Sequence, residues 1–364
     1  MTFITPTNPA TPRVRTHRTG LLLVLLSSFV LSAAAHAHII ATDYVAADGS
    51  VDVADALQQL IDDNPNRTIY FPDGTYLLSH SLLTPADPAK AVHLVLANFA
   101  IVKAADDWPE EGGALIRLGG EHPYNSITLN GSNYGIEGGI FDGSGKADGI
   151  SIDSGRETRI NHVSIKHVRI GIHIKRGANN GSSDADIVDV NIVGNDEPGS
   201  IGVLIEGWDN TFTNMRIASV HVGVWCKTAG NVLRNIHPLY IFAEGQEYAS
   251  SCGFIVEQGD NWLDYCYSDQ FATGFKLGRG ACANLSDCFV FWYSGKVPSQ
   301  TAIECMEGSP LESFVYGLHA GFSGNCPAAT LLKAAEGGSG VLENLKTPDR
   351  AYTDDDASQA YLKK

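Results

Sequence analysis

Residues 202–239 read GVLIEGWDNTFTNMRIASVHVGVWCKTAGNVLRNIHPL. One unit stands in it twice. Gly202-VLIE and Gly223-VWCK each open with glycine, alternate apolar and outward positions, and end on a charge. Eight residues after each glycine comes an asparagine, Asn210 and Asn231, and a second strand-like run follows it. Strands alternate their side chains with period two, so Val203/Ile205 and Val224/Cys226 point one way and Leu204/Glu206 and Trp225/Lys227 the other.

The same unit runs outward in both directions. Gly149-ISID, Gly171-IHIK, Gly253-FIVE, Gly274-FKLG, Ala302-IECM and Ala329-TLLK join the two copies, at intervals of 22, 31, 21, 30, 21, 28 and 27 residues. Asparagine recurs in phase at Asn179, Asn210, Asn231 and Asn261. A unit made only of strands cannot bury its apolar face alone, and stacking copies gives one continuous core. The reading is all-β: a parallel β-helix of on the order of eight to ten coils, with stacked asparagines bonding up and down one corner. A β-sandwich explains neither the glycine-to-asparagine phase nor the repeat length. Ahead of the coils, 53–63 has helical periodicity with Asp52 placed to cap it, and is expected to cap the solenoid. After it, 68–79 reads as strand, PDG turn and strand.

The N-terminus has a different character. Arg13, Arg15 and Arg18 precede the apolar run 21–31, and Ala35-His36-Ala37 follows. That is the pattern of a secretory signal peptide cleaved after Ala37. Its removal would take the net charge from −16 to −19, since three positive and no negative charges leave. The expected domains are a signal peptide at 1–37, a β-helix at 38–345 and a tail at 346–364, in an exported protein. No other run approaches membrane length, and the acidic balance argues against nucleic acid. Seven cysteines lie between Cys226 and Cys326, without metal-ligand spacing. Cys266 and Cys288 occupy the same phase in successive units and favour a disulfide slightly over two stacked thiols.

The segment DYVAADGSVDVADALQQLIDDNPNRTIYFPDGTYLLS (43–79), with the coils behind it, resembles the pectate-lyase/polygalacturonase superfamily. The resemblance covers most of 40–345. It implies a single-stranded right-handed parallel β-helix, a groove along one flank and, as a rule, a polysaccharide substrate. Polygalacturonases carry NTD, DD, GHG and RIK as a set, which does not stand here. DGSG (142–145) resembles a coil-building segment of that family, and ADDWPEEGG (105–113) is similar to a stretch of inulin fructotransferase-like enzymes.

Equivalent positions in stacked coils form columns. The fourth position after glycine reads Asp153, Lys175, Glu206, Lys227, Glu257, alternating in sign at each step, which suits a neutralised ladder. The second position places Trp225 outward. The strand after asparagine gives an outward column of Ser164, Asn191, Arg216, His237, Tyr267 and Phe289, with Asp269 and Trp292 beside it. Aromatic, cationic and carboxylate groups together suit a carbohydrate cleft. The expected catalytic residues are Asp269, Glu257 and His237. Arg216, Trp225, Lys227, Tyr267, Glu206 and Trp292 are expected to bind substrate, with Glu244 and Glu247 as spare carboxylates. Long loops near 176–200 and 242–251 flank the same coils.

The function expected is cleavage of glycosidic bonds in a polysaccharide or oligosaccharide by paired carboxylates, without a cofactor. The alternatives are β-elimination from a uronic-acid polymer, with calcium as an option, and a non-catalytic tailspike-like binding β-helix. The expected assembly is a monomer or homotrimer, with no nucleic-acid or membrane partner.

Overall fold

The computed structural model describes residues 39–109, 113–119, 134–176, 182–240, 248–278, 281–292, 300–306, 314–322, 330–333 and 341–343. The expected signal peptide, Asn179, Glu244, Glu247, Cys326 and the tail lie outside them. No helix among the described residues is long and apolar enough to cross a membrane.

Among the described residues most coils contribute three strands, and every pairing between coils is parallel. Side three of the triangular cross-section is a ten-stranded sheet running from Leu82–Leu83 to Thr330–Lys333. The chain passes from it to side one (for example Arg159–Asn161) and side two (Ser164–Val168), then back to side three (Ile170–Ile174). Sides one and two form one 21-stranded sheet because Thr211–Ala218 and Val232–Leu239 run unbroken through the corner between them.

The inward column on side three follows the sequence pattern. Ile116, Ile150, Ile172, Val203, Val224, Phe254, Phe275, Ile303 and Leu332 pair in register, each at most 2 % exposed. Phe254 and Phe275 stack at 4.9 Å between ring centroids. The repeating glycine has a steric cause. A Cβ on Gly202 would lie 2.5 Å from the Gly223 carbonyl oxygen of the next coil, and the same clash recurs along the column. The column loses its glycine at Ala302 and then at Leu331. Thr301 pairs with Thr330 and Ile303 with Leu332, so Leu331, not Ala329, matches Ala302. The last interval is 29 residues rather than 27, because an apolar TLL run can be slid by two without changing which residues look apolar.

The asparagine ladder is real but has three rungs. Asn210, Asn231 and Asn261 are fully buried. The Asn231 Oδ1 accepts from the Asn210 backbone N–H (3.1 Å) and Nδ2 (3.0 Å), and the Asn261 Oδ1 accepts likewise from Asn231 (3.0 and 3.2 Å). In the coil below, the Ala185 N–H occupies the equivalent place, 3.1 Å from the Asn210 Oδ1. A longer connection in that coil moves the register six residues past Asn179.

At the corner between sides one and two, the coils from Gly138 onward turn through a left-handed residue. Gly138, His162, Asp189, Asn214, Asn235, Tyr265, Asp287 and Gly317 have φ between 48° and 77°. In the coils from His162 onward the next residue turns inward and is buried: Val163, Val190, Met215, Ile236, Cys266, Cys288, Leu318. Cys266 and Cys288 are therefore corner residues, and both are free thiols rather than a disulfide. Each donates to a carbonyl of the preceding coil, Leu233 and Leu263, at 3.4 Å.

The helix forms at Ala54–Asp62, burying Leu57, Leu60 and Ile61 in the main core. Val53 is its N-cap residue, while Asp52 Oδ1 accepts from the Ala54 N–H at 3.0 Å. The two strands around the PDG turn lie at Thr68–Phe71 and Gly74–Leu78.

Candidate functional site

Most outward carboxylates of side three are paired off with cations. Asp153, with its side chain 2 % exposed, receives the Arg117 Nε (2.7 Å), the Ser151 Oγ (2.6 Å) and the Lys175 Nζ (2.9 Å). Burial by itself would raise its pKa, but the bonds from Ser151, Lys175 and Arg117 outweigh burial and hold the carboxyl below the usual range. Glu206 sits between the His173 Nε2 (2.9 Å) and the Lys227 Nζ (3.0 Å). Burial again pushes its carboxyl up, and His173 and Lys227 pull it down by more. Glu257 accepts the Trp225 indole N–H at 2.6 Å, and the Lys227 ammonium lies 4.6 Å from that ring centroid. Trp225 packs against Ile201, Leu204 and Val222, an apolar cluster outside the main core.

Side two is furnished differently. Its first outward column holds Ser164, Asn191, Arg216, His237, Tyr267 and Phe289, as the alternation predicts. His237 and Tyr267 stack at 4.1 Å with a 17° tilt, and Phe289 lies 4.7 Å beyond Tyr267. These rings spend their faces on one another rather than offering a stacking platform. Tyr267 Oη donates to Asp269 Oδ2 at 3.0 Å, and His237 Nε2 stands 3.5 Å from the same oxygen. Burial first, and the Asp269 charge second, push the Tyr267 phenol pKa well up, so it stays a donor.

The nine residues singled out from the sequence therefore divide. Arg216, His237, Tyr267 and Asp269 come together on side two. Glu206, Trp225, Lys227 and Glu257 come together on side three. Asp269 precedes the strand Thr273–Leu277, whereas Glu257 neighbours Gly278 at that strand's far end. A five-residue strand, about 16 Å, lies between them, so they are not a carboxylate pair. No hydrogen bond or ion pair among the described residues joins the two groups. Trp292 is not on the surface at all. In Phe289–Trp292 the outward positions are Phe289 and Phe291, and Trp292 points into the core, fully buried, donating its indole N–H to the Phe271 carbonyl at 2.7 Å.

A concavity lies lower on side two, at its corner with side three. A groove of about 460 Å³ is lined by Lys103, Asp106, Asp142, Ser144, His167 and Asn195, with Gly145. Asp142 stands at its centre. Its Oδ1 meets the His167 Nδ1 at 3.0 Å and accepts the Ser144 N–H at 2.9 Å. Lys103 and Lys166 flank it in register on the neighbouring coils. Neither lysine makes an ion pair among the described residues, and burial lowers the Lys166 pKa. A second cavity of about 400 Å³, lined by Arg169, Ile170 and 197–200, shares Asn195 with the groove. The sequence held two signals for this site, the DGSG segment, read there as coil-building, and the ADDWPEEGG stretch (105–113), which contains Asp106. Among the described residues no group of three or more His, Cys, Asp or Glu is arranged to hold a metal ion.

No family model matches the chain, and no curated protein matches it. Solved structures do. The tailspike protein of E. coli bacteriophage HK620 in complex with pentasaccharide aligns with TM-score 0.68 and 12 % identity over 87 % of this chain and 63 % of that one. Alginate lyase from Paenibacillus sp. aligns with TM-score 0.56 and 15 % identity over 76 % and 97 %. The A-module of the Azotobacter vinelandii mannuronan C-5 epimerase AlgE6 aligns with TM-score 0.53 and 15 % identity over 85 % and 96 %. This chain spans less than two thirds of the length of the phage proteins it matches. The shared fold is the right-handed parallel β-helix.

Proposed function

We propose that this protein binds a polysaccharide or oligosaccharide on side two and cleaves its glycosidic bonds at the Asp142 groove. The observation that carries the reading is the groove itself: two carboxylates, a histidine, a lysine and two small polar side chains around one open, polar concavity. Glycosidases work with two carboxyl groups flanking the scissile bond, one giving a proton and one acting as base or nucleophile. Asp142, fixed by His167 and Ser144, is the positioned carboxylate, and Asp106 is its partner. Lys103 and Asn195 hold hydroxyls. The reading needs no cofactor. Structural likeness to proteins titled as a tailspike with pentasaccharide, an alginate lyase and a mannuronan epimerase supports a glycan ligand. Export by way of residues 1–37 belongs to the same reading, since it would deliver the enzyme to such a polymer.

Lys103 and Lys166 on either side of Asp142 favour a second reading, β-elimination from a uronic acid whose carboxylate they neutralise. The net charge of −16 opposes a polyanion at long range, so hydrolysis is preferred. The test is incubation with a panel of neutral and uronic polysaccharides, following new reducing ends together with the ultraviolet absorbance of a conjugated double bond. Reducing ends without absorbance are expected. Absorbance rising in step with them would establish elimination instead, and the absence of both on every polymer would overturn a glycan-cleaving role.

A further inference from the structure

The groove and the Arg216–His237–Asp269 cluster occupy the same face, and the register measures the distance between them. Asp142 pairs with Lys166; further along the same side Val193 pairs with Ala218, Ala218 with Leu239, and Leu239 with Asp269. Five inter-strand spacings of ~4.8 Å separate the two carboxylates, about 24 Å, the length of several sugar rings. Between them the column offers Lys166 next to Asp142 and then the uncharged Val193, Ala218 and Leu239.

At the far end the side chains are held in place. Arg216 is exposed, and its Nη1 donates to the carbonyls of Met215 (3.0 Å) and Asn235 (3.4 Å), leaving the rest of its fork to solvent. His237 is clamped on the Tyr267 ring, and Tyr267 is bonded to Asp269. The His237 Nε2 has no hydrogen-bond partner, with Asp269 Oδ2 at 3.5 Å. The cluster is thus a fixed set of polar side chains on the same face, with Arg216 its nearest member at three inter-strand spacings, about 14 Å, from Asp142.

We infer that this cluster is a remote contact for the same glycan, so that the protein is built for chain interiors and prefers long chains to short ones. The inference rests on the glycan-cleaving reading above. A charge-assisted hydrogen bond from Arg216 to a distant sugar corresponds to about a tenfold gain or more in kcat/KM. The experiment uses dimers and size-fractionated hexamers or longer fragments, prepared from alginate, polygalacturonate and a neutral glucan. Kinetics are measured for the intact protein and for Arg216→Ala and Arg216→Lys. The intact protein is expected to favour the long fragments at least tenfold. Arg216→Ala is expected to erase that preference through KM with kcat held, and Arg216→Lys to restore part of it. Equal rates on long and short fragments, or an undiminished preference in Arg216→Ala, would overturn the inference while leaving the groove's role standing. Failure to cleave any fragment would bring down both. Should Arg216→Ala lower the melting temperature, His237→Gln carries the same comparison.

Discussion

Sides two and three of this solenoid are built from the same repeat, yet they spend their charges in opposite ways. On side three most outward carboxylates have a cationic partner on the coil above or below: Asp153 with Arg117 and Lys175, Glu206 with Lys227, Glu304 with Lys333, while Glu257 accepts the Trp225 indole N–H instead. On side two, Lys103 and Lys166 stand beside Asp142 without closing an ion pair on it. A ladder of alternating charges is a way of stabilising a stack of coils. A column whose charges are left open is free to meet a ligand. What separates wall from site is whether the charges have already found each other.

Four substitutions would break or sharpen that contrast. The largest effect is expected at Asp142→Asn, which should lower turnover by about 10²–10⁴-fold with the melting temperature nearly unchanged. Full activity on the cleaved polymer would remove Asp142 from the chemistry. Asp153→Asn should do the reverse, costing about 3 kcal/mol of stability because two cations lose their buried partner, while the folded fraction keeps its activity. Denaturant titration of both proteins checks this. Asp153 also sets a pH dependence. Its folded pKa lies below the unfolded one, so its contribution is complete above the unfolded value of ~3.9 and fades as pH falls through the lower folded value. The stability gap between the natural protein and Asp153→Asn should therefore close on acidification below pH ~3.9. Asn231→Leu, in the middle of the asparagine ladder, should cost about 1–3 kcal/mol by leaving buried neighbours unsatisfied. Thermal unfolding unmoved by it would show that water replaces the rung. Lys227→Met should cost under about 1 kcal/mol, since Glu206 keeps His173 and its surroundings are part-wet.

The inward column and the outward ladder of side three were legible in the sequence for one reason. Strand alternation and a shared glycine fix both phase and register, and a buried Cβ-free position leaves the same letter in coil after coil. Where that letter fails, reading fails with it. Asn179 was matched by counting from Gly171, but a longer connection had shifted the register to Ala185. Trp292 was placed outward although its own neighbours, Phe289 and Phe291, already fixed the outward phase. The groove was the least legible feature. Asp106, Ser144 and Asn195 come from corners and His167 from near the end of the strand Ser164–Val168, 89 residues apart at the extremes, and no periodicity links them. Asp269 and Glu257 looked close because both belong to middle coils. A coil number says how high a residue stands on the solenoid, and says nothing of which side it faces.

The left-handed corner between sides one and two bears on how such a protein can change over generations. Its column runs through glycine, histidine, aspartate, asparagine and tyrosine, a set united by tolerance of positive φ rather than by any side-chain role. From His162 onward each turn there takes two residues, one left-handed and one reversing into the core. An insertion at Asn214 or Asn235 would flip the strand behind it and bury Arg216 or His237 while expelling Ile217 or Pro238. In those coils length can be added only at the other two corners, which is where the spread of 21 to 31 residues per turn is found. The solenoid thus has one edge closed to insertion and two open ones, and new specificity can be grafted beside the groove without disturbing the register of the stack.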